Sequence, residues 1–173
     1  FPADRIVLTG NPIRKEIVPA DEAMRAEALK FYGLDPQAKH IFVVGGSLGS
    51  RTLNEAMKKW ISEGCPGGSD IEVIWQCGKF YKPSVDAFMK EAEAAVLGGA
   101  VLKQIQHSDF IKRMDLAYAA ADVVISRSGA SSVSELCAAH KATIFVPSPN
   151  VAEDHQTHNA MALVNKDAAV LVK

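Results

Sequence analysis

The stretch VVISRSGASSVSEL, residues 123–136, runs from an apolar segment through a turn of serines and glycine into a helix-forming segment with one carboxylate, Glu135. Two kinds of chemistry fit it. Ser132-Val133-Ser134-Glu135 has the spacing of a capping box, in which the serine hydroxyl caps the helix and the glutamate reaches back to the cap residue. Such a cap stabilises a helix by about 0.5–2 kcal/mol. It leaves Arg127, Ser128, Gly129, Ala130 and Ser131 unexplained. A long polar turn feeding a helix N-terminus also offers unpaired N–H groups to an anion such as a diphosphate, leaving Glu135 to accept from neighbouring sugar hydroxyls. Both readings place a helix from about residue 132.

Two other segments carry polar groups after apolar runs. In VVGGSLGSRTLNEA (43–56), three glycines permit tight turning and close backbone approach, and Ser47 offers a hydroxyl to a phosphate oxygen. The spacing is neither the dinucleotide fingerprint nor a Walker loop, and glycines also serve simply to build strand-to-helix turns. In VPSPNVAEDHQTHNA (146–160), the prolines end a strand and Asp154 can cap the following helix. Gln156 and Asn159 share a helix face, and carboxamides suit sugar hydroxyls because each carries donors and an acceptor. Solvent-facing amides are equally ordinary on a helix.

The remaining reactive residue types form no constellation. Cys65, Cys77 and Cys137 are scattered and odd in number, which fits reduced thiols in a cytoplasmic protein. His155 and His158 lie close together without a further ligand at a zinc-like spacing, so a structural or surface role is expected and no metal. Net charge is −1 over 173 residues, which gives no electrostatic footprint for nucleic acid. No apolar run approaches the roughly 20 residues of a membrane-spanning helix. The opening FPADRIVLTG has neither the basic nor the apolar region of a signal peptide.

The elements that must position these groups alternate. Strands are expected at 5–10, 40–46, 71–76, near 100–104, at 122–126, 143–147 and 168–172. NPIR (11–14) is a turn. Helices are expected at 21–31 with Gly33 as the stop, near 50–62, across roughly 83–96, at 109–121, from about 132 and from about 154. Apolar strands separated by amphipathic helices predict one α/β domain over 1–173: a doubly wound, mostly parallel sheet with helices on both faces. Ligands of such sheets sit beyond the carboxyl ends of the strands, so the loops after Val44, Gln76, Ile125 and Val146 are the ones to inspect.

Together, TGNPIR (9–14), GGSLGSRTLN (45–54), SDFIKRMDLAYAAADVVISRSGASSVSEL (108–136) and EDHQTHNA (153–160) resemble the carboxyl-terminal half of the MurG family. These bacterial enzymes transfer N-acetylglucosamine to lipid I, forming lipid II in peptidoglycan synthesis. The likeness runs in order from Asn11 to the end of the chain. It implies one Rossmann-like half of a GT-B glycosyltransferase, with UDP-N-acetylglucosamine as donor, inversion at the anomeric carbon and UDP as leaving group. The absence of a D-x-D cluster fits a site independent of metal, and no cofactor is implied.

Carried onto matching positions, the resemblance puts Arg14 at the interdomain edge near the donor and Ser47 on a phosphate. Ile111 would meet uracil through its backbone, and Ala130, Ser131 and Ser132 would face sugar and diphosphate. Glu135 would grip the ribose diol, and Gln156, supported by Asn159, would contact the N-acetylglucosamine. The polar turn would then be both cap and cradle. Three departures stand out: HKA at 140–142 where Gly-x-Pro is common, Leu48 where Gln is common, and His155 where some members have Gln.

No residue here has the context of a catalytic base. The resemblance assigns the base, the lipid I acceptor site and the membrane-facing patch to an amino-terminal domain absent from this chain. The expectation is an isolated donor domain cut from a longer protein, inactive alone, the whole protein lying on the cytoplasmic face of the bacterial inner membrane. Two alternatives are a non-catalytic donor-binding subunit docking on a separate membrane partner and a UDP-N-acetylglucosamine 2-epimerase-like enzyme. A dinucleotide oxidoreductase is disfavoured by the glycine pattern.

Overall fold

The computed structural model describes residues 2–7, 9–95, 104–149 and 154–172. Helices α1 (Glu22–Tyr32), α2 (Arg51–Ser62), α3 (Lys82–Ala94), α4 (Met114–Ala120), α5 (Ala130–Ala138) and α6 (His155–Val164) alternate with six strands. The strands are β1 (Lys39–Val44), β2 (Ile71–Gln76), β3 (Ile105–Ser108), β4 (Val123–Ser126), β5 (Ala142–Phe145) and β6 (Val170–Leu171). All pairings are parallel and the spatial order is β3-β2-β1-β4-β5-β6. This is the doubly wound arrangement, with the order reversing between β1 and β4.

Both sheet faces are dry, which is why the strands read as continuous apolar runs. Phe42 and Val44 of β1 join Ile74, Val124, Leu116, Leu136 and Phe145 in a core on one face. Val43, Val73 and Trp75 point the other way, onto Leu53, Met57 and Ile61 of α2 and Val85 and Met89 of α3. Each such side chain taken fully out of water contributes about 1.5–3 kcal/mol. Behind the glycine loop, buried Asn54 accepts the Trp75 indole N–H at 3.0 Å and donates to the Cys77 carbonyl at 2.9 Å, leaving neither core polar group unpaired.

Local signals place most elements within a residue or two. Asp21 caps α1 through the Met24 amide at 2.8 Å, and Gly33 ends it in the left-handed region. His140, standing where a glycine is common, adopts φ 52, so that turn survives without glycine.

Four expectations fail. The strand expected at 5–10 is not found among the described residues: Arg5 closes a short 3-10 turn, Ile6 and Val7 are 58% and 82% exposed, no described strand pairs with them, and Leu8 lies outside the described residues. The NPIR turn falls later, where Ile17 N–H donates to the Arg14 carbonyl at 3.2 Å. The strand expected near 100–104 is β3 at 105–108, and residues 100–103 lie outside the described ones. Helix α4 begins at Met114 and not at 109, because residues 109–113 form the loop leaving β3, with Phe110 48% exposed.

Candidate functional site

Where the strand order reverses, consecutive connections leave on opposite faces. The loop after β1 feeds α2 on one face and the loop after β4 feeds α5 on the other, so a crevice opens between them. Its floor is the carboxyl edge of β1, β2 and β4. The glycine loop is closed by Gly49 N–H donating to the Gly46 carbonyl at 2.9 Å. It lies directly against the turn after β2, where Gly49 and Gly78 touch backbone to backbone.

Two adjoining cavities occupy the crevice and share Ser132. The smaller, about 180 Å³, is lined by Ser47, Phe110, Ile111, Ser131 and Glu135, with Arg14 at its mouth. Ile111 is 6% exposed, its side chain in the core. Glu135 is 7% exposed and accepts three hydrogen bonds. Arg14 grips it in a fork, Nε to Oε1 at 2.9 Å and Nη2 to Oε2 at 2.8 Å, and the Tyr118 hydroxyl donates to Oε2 at 3.2 Å. The hydrogen bond to Glu135 raises the Arg14 pKa. Burial, and then the Glu135 charge, push the Tyr118 phenol well up, so it stays a donor.

The larger cavity, about 400 Å³, is bounded by Gly45, Tyr81, Arg127, Gly129 and Gln156. Arg127 is fixed by the Val146 and Pro147 carbonyls at 2.8 and 2.5 Å and by the Thr52 hydroxyl at 3.2 Å. Burial lowers its pKa from a value high enough that the cation persists. The Gln156 side-chain carbonyl accepts Ser148 N–H at 2.9 Å, and its backbone carbonyl accepts the Ser128 hydroxyl at 2.7 Å. Asn159 donates to the Ser128 carbonyl at 3.0 Å and lines neither cavity, so it anchors the turn after β4.

The capping box does not form. Helix α5 starts at Ala130, its N-cap is Gly129, and no side chain caps it. Ser132 is thus the third helical residue, and Glu135, on the next turn, is turned inward to Arg14 and Tyr118. Ser134 instead bonds back to the Ala130 carbonyl at 3.0 Å. The first-turn N–H groups of Ala130, Ser131 and Ser132 have no intrahelical acceptor, and Ser131 and Ser132 line the smaller cavity. Asp154 does occupy the N-cap of α6 but makes no capping bond to the backbone; its Oδ1 accepts the Thr157 hydroxyl at 2.7 Å.

Arg14, Ser47, Ile111, Ser131, Ser132, Glu135 and Gln156 therefore converge, from segments more than 140 residues apart, whereas Ala130, the first residue of α5, lines neither cavity. Sequence reasoning missed Tyr118, hidden in a run of alanines that reads as helix core. It also missed Gln76, which lines the smaller cavity at the end of β2; the one available signal was a polar residue closing an otherwise apolar strand.

The pattern of the glycosyltransferase family 28 C-terminal domain matches residues 40–173. The chain belongs to that family. A curated relative from Parabacteroides distasonis, a UDP-N-acetylglucosamine--N-acetylmuramyl-(pentapeptide) pyrophosphoryl-undecaprenol N-acetylglucosamine transferase, is 51% identical over 99% of this chain and 44% of its own length. A relative from Flavobacterium psychrophilum with the same name is 47% identical, over 100% of this chain and 43% of its own length. This family 28 chain thus spans less than half the length of these relatives. Among solved structures, MurG of Acinetobacter baumannii superposes with a TM-score of 0.68 at 29% identity, over 96% of this chain and 44% of that one. The order of the sheet and these likenesses make the chain a Rossmann-like half of the GT-B kind.

Proposed function

We propose that this chain is the donor-binding domain of an inverting N-acetylglucosaminyltransferase that uses UDP-N-acetylglucosamine and lipid I, and that the acceptor domain lies in a part of the protein not included here. The observation carrying this reading is the convergence on one crevice of a buried carboxylate, a base-sized cavity beside Ile111 and an uncapped helix N-terminus. The transferase names of the relatives support it and favour neither the epimerase nor the separate-subunit alternative.

Uracil would lie beside Ile111, the ribose diol on Glu135, the diphosphate between Ser47 and the first turn of α5, and the sugar towards Gln156. An acceptor hydroxyl oxygen attacks the anomeric carbon as the bond to the diphosphate oxygen breaks, and that electron pair leaves with UDP. The hydroxyl proton passes to a base that the other domain supplies. The α5 dipole stabilises charge growing on the diphosphate by about 0.3–2 kcal/mol. The acceptor, contact with the membrane and residence on its cytoplasmic face belong to the whole protein. In the part described here, no helix is long and apolar enough to cross a membrane.

The first expected result is selective stabilisation. UDP at a hundred times its Kd stabilises the domain by about 2.7 kcal/mol, a rise of roughly 5–10 °C in Tm for a chain of this size. ADP and NAD at the same concentration give much smaller shifts. Equal shifts with all three would sink the uridine assignment. The second is that the purified chain, given UDP-N-acetylglucosamine and a lipid I analogue, transfers no sugar above background. Turnover would mean that the catalytic set resides here after all.

A further inference from the structure

The loops after β1 and β3 carry the two halves of the proposed nucleotide site, and one buried side chain holds both. Gln76, 3% exposed, closes β2, with Val44 beside it on β1 and Ser108 beside it on β3. Its Oε1 accepts Gly45 N–H at 3.2 Å. Its Nε2 donates to the Gly46 carbonyl at 2.8 Å and to the Asp109 carbonyl at 3.0 Å. A carboxamide has one acceptor oxygen and two donor hydrogens, and all are engaged here. Gly46 is where the glycine loop closes on itself just before Ser47, and Asp109 lies two residues before Ile111. No carboxylate or apolar side chain of this length reproduces the set.

We propose that Gln76 is a positioning residue that fixes the span between Ser47 and Ile111, and with it the distance between the phosphate and base subsites. The inference rests on the nucleotide-sugar reading above. A ligand held at two points gains from the second contact only when the spacing matches, because that contact is then made at high effective concentration. Uridine and inorganic pyrophosphate each meet one half of the site and are indifferent to the spacing.

The test is calorimetric titration of the parent, Gln76→Met and Gln76→Glu with UDP, uridine and pyrophosphate, beside hydrogen exchange of the unliganded proteins. In Gln76→Met, UDP affinity falls about tenfold, whereas uridine and pyrophosphate change by no more than about twofold. Exchange accelerates together at residues 45–49 and 109–111. In Gln76→Glu, UDP affinity relative to the parent recovers between about pH 8 and pH 5.5, as the buried carboxyl facing two carbonyls takes up a proton and donates one bond. An equal loss for all three ligands, or no loss, overturns the proposal. So does a flat pH profile for Gln76→Glu, which carries the test if Gln76→Met does not fold. Should the parent show no preference for UDP, the nucleotide reading falls. The exchange data then judge the clamp alone, and unaltered exchange at either loop overturns it.

Discussion

Glu135→Gln is expected to weaken UDP binding ten- to a hundredfold while lowering Tm only slightly. The carboxylate is a charge-assisted acceptor, and such contacts are worth on the order of 1.5–3 kcal/mol, about twice a neutral hydrogen bond. Both oxygens are already held by Arg14. On the proposed reading, ribose hydroxyls would displace the guanidinium from at least one of them, so part of the contact would be exchanged and not gained. The loss therefore falls nearer ten- than a hundredfold. Stability changes little because the Arg14 side chain is 45% exposed and returns to water when its partner weakens. The amide oxygen still accepts from Tyr118 or Arg14. Titration of both proteins with UDP and 2′-deoxy-UDP isolates the contact: the deoxy ligand binds the parent more weakly but binds Glu135→Gln about as well as UDP does. Unchanged UDP affinity with a lower Tm would make Glu135 an anchor for Arg14 and nothing more.

Ser132 shows where sequence reading stopped. The spacing S-x-x-E is a sound cap signal, but it counts only local bonds. Helix α5 instead starts at Ala130 with Gly129 as the cap, and Glu135 is turned inward to Arg14, 121 residues away. A local spacing carries no information on such a tertiary partner, and the Ser132 hydroxyl is left on the cavity wall. The stretch at 5–10 fails for a related reason. Ile6 and Val7 have strand-like composition, but a strand exists only through its neighbour.

The sheet itself was legible because burial on both faces forces apolar runs at β1, β2, β4 and β5, and the helices between them carry the complementary stripe. Helix α4 was read too long because Phe110 fits the apolar spacing of its residues, although it faces the cavity and not the core. Of the site, Glu135, Ile111 and Ser47 were reachable because each lies in a contiguous motif. Gln76 and Tyr118 act through space, Gln76 on two loops and Tyr118 on a carboxylate 17 residues on, and no spacing along the chain encodes that.

The contact between the glycine loop and the turn after β2 sets the largest expected loss of stability. Gly78 has φ +86, and a Cβ there would run into the backbone N and Cα of Gly49. Gly78→Ala therefore carries two penalties, a left-handed conformation for a residue with a Cβ and a clash against backbone that cannot rotate away. Together they cost about 3 kcal/mol or more, a fall of roughly 6–12 °C in Tm for a chain of this size. Relief of the clash pushes Gly49 away from Gly78 and carries Ser47 with it, so UDP binding is lost at temperatures where the variant is still folded. Gly64 separates the two penalties. It has φ +80 but nothing within 4 Å of the added carbon, so Gly64→Ala carries the conformational cost alone, about 1–2 kcal/mol. Melting curves and UDP titrations of the two variants side by side decide the matter. If Gly78→Ala is no less stable than Gly64→Ala and still binds UDP, the close approach of the two loops has no part in shaping the site.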